Sequence, residues 1–207
     1  MTVIKNKSGS FFLDANGIVT DFKPSLFNPI VERKVNEPQA YYGSVIKKSI
    51  KNLIVPEGVI GFADNFFRDI EVLERFALPN GLQYIGNNLF TSDSHGCLFA
   101  GCTLPEVRIP ETVRELGPFA FGKSKIGYLQ IPSSIRSRYL RQFKDSCIGT
   151  LCLPKEWKEH VYLEETHLRH KSPMGGNWQD NWGYMVFDCS VDKLIFGEIE
   201  RESEDCI

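Results

Sequence analysis

The chain has 207 residues, 42% of them hydrophobic and 24% charged, and 24 Lys and Arg against 26 Asp and Glu leave a formal net charge of −2. That length can bury a sizeable core in one domain or two small ones. The near-neutral balance excludes long-range attraction to nucleic acid or anionic lipid, and no apolar run approaches the ~20 residues of a membrane span. Fifteen Phe beside 17 Gly and 11 Pro argue against disorder. A soluble globular protein is what remains.

Residues 1–8 carry no apolar leader, which points to the cytoplasm. A cell-surface or secreted protein whose leader has been removed is the alternative. Six Cys are too few for a disulfide scaffold, so free, mostly buried thiols are expected, Cys102 among them. Phe11 to Leu13, the Asn16-Gly17 turn signal and Ile18 to Phe22 predict a β-hairpin. Residues 23–44, with Pro24, Pro29 and Pro38, read as irregular chain.

A repeat begins next. Val55-Pro56, Leu78-Pro79, Ile109-Pro110, Ile131-Pro132 and Leu153-Pro154 share one context. The prolines recur at intervals of about 22 residues, except that an insertion lengthens the second interval. Six residues before each proline stand Ile50, Leu73, Leu104, Ile126 and Ile148. Three before stand Leu53, Phe76, Val107, Leu129 and Leu151, and three after stand Val59, Leu82, Val113, Ile135 and Trp157. With the five residues directly before the prolines, all twenty positions are apolar, an outcome that chance gives in roughly one case in 10⁷. Eleven residues after the first four prolines come Phe67, Phe90, Phe121 and Phe143. Each unit thus predicts a short strand with one buried face, ended by a residue that has no N–H and a fixed φ. One such unit cannot bury its apolar face alone, whereas stacked units with parallel strands can.

The run Ile109-Pro110-Glu111-Thr112-Val113-Arg114-Glu115-Leu116-Gly117-Pro118-Phe119-Ala120-Phe121 resembles the BspA-like leucine-rich repeat of bacterial proteins, and Phe99-Ala100-Gly101-Cys102 fits the Cys that often follows. The resemblance implies a right-handed β/α solenoid of about five repeats with a parallel sheet on its concave face. It also implies binding of macromolecules, often at the cell surface, with no shared catalytic residues. The expected layout is an N-terminal hairpin cap over 1–44, repeats over 45–157 with an insertion at 91–99, and a C-terminal β-containing cap over 158–207. Residues 155–170 show mixed helical signals, and 184–187 and 193–199 read as strands.

Chemistry is sparse. His160, His167 and His170 lack the paired spacing of a zinc site, and no phosphate loop or nucleophile elbow occurs. The reading is therefore non-enzymatic, without metal, cofactor or nucleic acid. A protein partner would use the outward residues of the strands, namely Arg75, Glu106, Arg108, Tyr128 and Gln130, with Arg75 and Glu106 side by side. Five strands about 4.8 Å apart and four residues long give a face near 250 Å², well short of the ~800 Å² of a stable interface. Loops, a cap or a second copy of the chain must therefore add to it. The alternative ligand is carbohydrate, stacked on Trp178, Trp182 and Tyr184.

Overall fold

The computed structural model describes residues 1–35, 45–63, 67, 70–85, 102–117, 120–135, 143, 145–159, 161–170 and 189–197. Its strands are β1 (Thr2–Lys5), β2 (Gly9–Leu13), β3 (Ile18–Pro24), β4 (Val31–Val35), β5 (Val45–Ile54), β6 (Gly61–Phe62), β7 (Ile70–Ala77) and β8 (Tyr84–Ile85). They continue with β9 (Thr103–Arg108), β10 (Glu115–Leu116), β11 (Lys125–Gln130), β12 (Cys147–Leu153), β13 (Val161–Glu164), β14 (His167–His170) and β15 (Ser190–Phe196).

The five apolar-Pro units place their strands side by side. β5, β7, β9, β11 and β12 are neighbours in that order in one nine-stranded sheet, and each pairs with the next in parallel. Leu53 faces Phe76 across the ladder, and Leu129 faces Val107 on one side and Leu151 on the other. All five are buried, as are Val59, Leu82, Val113, Ile135 and Trp157. These columns form one apolar core, and at about 25 cal/mol per Å² its burial is the main force holding the stack.

The return segments build a second, smaller ladder opposite the sheet. β8 and β10 pair in parallel, Gln83 N–H donates to Ile60 O at 3.0 Å, and Arg114 N–H donates to Gln83 O at 3.2 Å. No α-helix occurs among the described residues, where the one helical element is a 3₁₀ turn at Lys155–Trp157. The β/α character implied by the resemblance is thus replaced there by β on both sides of the core. A ladder of two-residue strands returns the chain in less length than a helix needs. The slot eleven residues after each proline is aromatic and buried at Phe67, Phe121 and Phe143. Phe121 and Phe143 lie stacked, 5.4 Å apart at 6°. Phe90 and the insertion at 91–99 lie outside the described residues.

A polar column closes each turn. Cys102, Ser124 and Ser146 stand one repeat apart, each buried just before its strand. Cys102 Sγ donates to Phe67 O at 2.9 Å, and Ser146 Oγ donates to Phe121 O at 2.6 Å. Lys125 N–H and Cys147 N–H continue the column along Cys102 O and Ser124 O. Cys102, Cys147, Cys152 and Cys189 carry free thiols, and only Cys147 of the four is exposed. The expected burial of Cys102 is found.

Four further expectations are corrected. Leu73 does not fill the column of Ile50, Leu104, Ile126 and Ile148. Val72 faces Ile50 instead, and Leu73 is 55% exposed, because the ladder shifts there by one residue. The step from Pro56 to Pro79 is one residue longer than the steps that follow Pro110, and it stores the extra residue as a bulge within β7. Second, 23–44 is not wholly irregular, since β4 pairs antiparallel with β5. An edge strand wet on both sides shows no apolar alternation, so Val-Glu-Arg-Lys-Val gave no sign. Third, past the 3₁₀ turn, the mixed helical signals of 155–170 resolve into an antiparallel hairpin of β13 and β14. Its turn holds Glu165 at φ 54°, and only Val161 of β13 is buried. Fourth, the strand read at 193–199 spans Ser190–Phe196 and runs parallel beside β12, giving the sheet a sixth parallel strand. The long connection from Leu153 to Ser190 hides it from a search for the repeat period. The segments around Trp178, Trp182 and Tyr184 and at 198–207 lie outside the described residues.

The expected N-terminal hairpin is present as β2 and β3 with Gly17 at φ 78° in its turn. β1 extends it, and β3 pairs in parallel with β6 of the return ladder. Phe11, Leu13 and Val19 join the core of the repeats.

Candidate functional site

Residues between the buried positions of each strand point away from the core and form the outer face of the nine-stranded sheet. Glu106, Tyr128, Thr150 and Lys193 make one row, and Arg108, Gln130, Cys152 and Ile195 make the next. Four of the five expected site residues come together here. Arg108 Nε donates to Glu106 Oε1, and its Nη1 donates to Gln130 Oε1 at 2.5 Å. The guanidinium lies over the Tyr128 ring, 4.7 Å from its centre. Tyr128 O–H donates to the same Gln130 Oε1 at 3.5 Å. The planar cation is thus fixed by a carboxylate, an amide and a ring face at once, with little side-chain freedom left to lose on binding.

Burial pushes the Tyr128 hydroxyl up from its usual pKa of 10.0 to about 12, aided by the hydrogen bond and charge of Cys152 and partly offset by Arg108. Tyr128 is therefore a neutral donor at physiological pH. Arg75 stands apart. It is exposed, and no ion pair joins it to Glu106, which turns to Arg108 within its own strand. The expected ion pair between Arg75 and Glu106 is thus replaced by the contact of Glu106 with Arg108.

Beside these rows lies a feature that the sequence reading missed. The ladder skips Pro105, Gly127, Gly149 and Asp192 in successive strands. An added Cβ on Gly127 would meet Pro105 O at 2.4 Å, and one on Gly149 would meet Gly127 O at 2.7 Å. Glycine is required at these two positions by close backbone approach, and the lane has no side chain at its centre, between Pro105 and Asp192. It floors an open groove of about 450 Å³, walled by Glu71, Leu73, Thr103, Lys125 and Cys147, with Asp192 at one end. Arg33 holds Glu71 at 3.0 Å. Lys125 and Asp192 are exposed and carry no ion pair among the described residues. The available signal was the strand glycine recurring one period on.

No three His, Cys, Asp or Glu side chains of the described residues gather closely enough to hold a metal ion. His167 is exposed in the last hairpin, whereas His160 lies outside the described residues, as do Trp178, Trp182 and Tyr184. No described helix is long and apolar enough to cross a membrane.

Strands recurring at an even interval in one parallel sheet, each closed by a buried aromatic on the return, define a leucine-rich repeat protein. The family model for the BspA-type leucine-rich repeat region matches in 6 copies over residues 39–95 and 95–162, more than half of the chain, which belongs to that family. Leucine-rich repeats generally mediate protein–protein binding, and modules of this kind are generally not catalysts. Neither a curated protein nor a solved structure matches the chain.

Proposed function

We propose that the chain is a non-enzymatic module whose outer face is the concave surface of a right-handed solenoid and binds a protein partner. The observation that supports this most is the fixed cluster of Arg108, Tyr128, Gln130 and Glu106 beside a groove whose floor includes Gly127 and Gly149. Arg and Tyr are the residue types that most often anchor interfaces, and their mutual packing lowers the entropy lost on docking. Six parallel strands give a face about 24 Å wide and, over five residues, about 17 Å long. That is roughly half of the ~800 Å² that a stable partner covers. The partner therefore reaches beyond the cluster, into the groove between Leu73 and Lys125 and onto the segments 1–44 and 158–207, which we read as caps.

The test starts from a partner recovered with the intact chain from the lysate and surface fraction of the source cells. Calorimetry with Arg108→Ala and Tyr128→Ala should show binding weaker by about 1–2 kcal/mol each, with thermal midpoints nearly unchanged. Unaltered affinity in both variants would remove this face from the interface.

A further inference from the structure

The nine-stranded sheet ends at β4, which pairs with β5 on one side and with no described strand on the other. We propose that two copies of the chain join along this edge, β4 against β4, antiparallel about a two-fold axis at Arg33. This does not rest on the function proposed above.

The charges of the strand carry the argument. β4 reads Val31-Glu32-Arg33-Lys34-Val35. Paired with itself antiparallel about Arg33, it sets Glu32 opposite the partner's Lys34 and Lys34 opposite the partner's Glu32, with Val31 opposite the partner's Val35. Charged edge strands ordinarily resist pairing. Here the order of the charges matches in this one antiparallel register, with two opposite-charge cross-strand pairs. Arg33 meets the partner's Arg33 at the axis, but each is neutralised by its own Glu71 at 3.0 Å. Lys34 has no ion pair among the described residues, and Glu32 holds only a long one, 3.8 Å to Lys48, with both side chains more than half exposed. The register also satisfies the backbone. Alternate residues of an edge strand point N–H and C=O outward, and this register pairs residues of like parity, so outward groups meet outward groups.

The same edge presents fixed apolar surface. Val31 faces Ser49 in the ladder, which puts Asn28 level with Asn52. Asn28 Nδ2 donates to Asn52 O at 2.6 Å, and Asn52 N–H donates to Asn28 Oδ1 at 3.0 Å. Asn28 N–H donates to Ser25 O, and Ser25 N–H donates to Ser8 O. The turn so clamped exposes Leu26 by 94% and Phe27 by 97%, and Val31 beside it by 51%. Such surface is ordinarily buried in a partner. Side chains opposite one another across an antiparallel pair lie on the same face, so the dimer sets two outer faces side by side and doubles the area that is too small in one copy.

Sedimentation velocity over a dilution series reaching on the order of 100 µM tests this, since a short edge makes a modest interface. The wild-type chain should shift from monomer to dimer, less so at high salt. Glu32→Lys and Lys34→Glu should each associate at least tenfold more weakly, because both cross-strand pairs become repulsive. The double variant Glu32→Lys/Lys34→Glu should dimerise like the wild type. An equimolar mixture of the two single variants should form the heterodimer that neither forms alone, which also shows that both are folded. A wild type that stays monomeric throughout, single variants that dimerise as it does, or a mixture that fails to associate would each overturn the proposal.

Discussion

From Thr103 to Leu153 the strands advance by one even step, their apolar columns stay aligned, and one lane of the outer face carries glycine in two adjacent strands. From Val45 to Ala77 the step is longer by a single residue, the ladder slips between Ile50 and Asn52, and Leu73 turns to solvent. The same repeat thus has an even middle, where strands approach closely enough to demand glycine, and an irregular N-terminal end. There an extra residue is absorbed as a bulge and polar side chains such as Asn28 hold the chain together. A solenoid is a sum of nearest-neighbour interfaces, so such a local irregularity need not disturb distant units.

Substitutions can break that contrast. The largest effect is expected for Gly127→Ala, whose Cβ would stand 2.4 Å from Pro105 O. Backbone must move, and the loss should be about 4 kcal/mol in chemical denaturation. Gly81→Ala, with nothing within 4 Å of its Cβ, should leave stability unchanged or raised by about 0.5 kcal/mol. Leu129→Ala, in the fully buried middle column, should cost about 3 kcal/mol. Leu73→Ala, in the bulge, should cost less than about 0.5 kcal/mol, although both leucines occupy apolar positions of the repeat. Equal costs for the two would contradict the assigned register. Asn28→Ala leaves Asn52 N–H and O without their partner and should cost about 2 kcal/mol.

The smallest effect concerns pH. The folded chain holds the Tyr128 proton to about pH 12, whereas the unfolded chain releases it near pH 10.0. The stability that Tyr128 adds is therefore complete below pH 10.0 and is lost as pH rises toward about 12. Tyr128→Phe should remove that part of the alkaline slope. Tyrosinate absorbance of the folded chain should rise late for one residue.

The parallel strands, the buried columns and the hairpin were legible because burial on one face leaves a pattern in sequence. Leu53, Val107, Leu129 and Leu151 sit where the spacing put them. Leu73 deceived because its neighbour Val72 is equally apolar, so the register rested on a single choice. β4 and the hairpin of β13 and β14 expose most of their residues and print no period. In the site, the rows of Glu106 with Tyr128 and Arg108 with Gln130 followed from strand register alone. That Glu106 would pair with Arg108 of its own strand and not with Arg75 depends on rotamers, which spacing does not encode. The groove was hidden because it is defined by side chains that are missing at Gly127 and Gly149.

The central claim is that the inner columns maintain the fold while the outer face around Arg108 and Tyr128 binds protein, and the two can be separated. The most direct measurement places a photo-cross-linking residue at Thr150, in the row of Tyr128, and irradiates the chain with its recovered partner. A cross-link to that polypeptide should form and should vanish in the Arg108→Ala/Tyr128→Ala background, with the thermal midpoint held within a few degrees. A cross-link undiminished by the double substitution, or one that forms only from Glu111, which lies outside the strands in the turn after Pro110, would contradict the account.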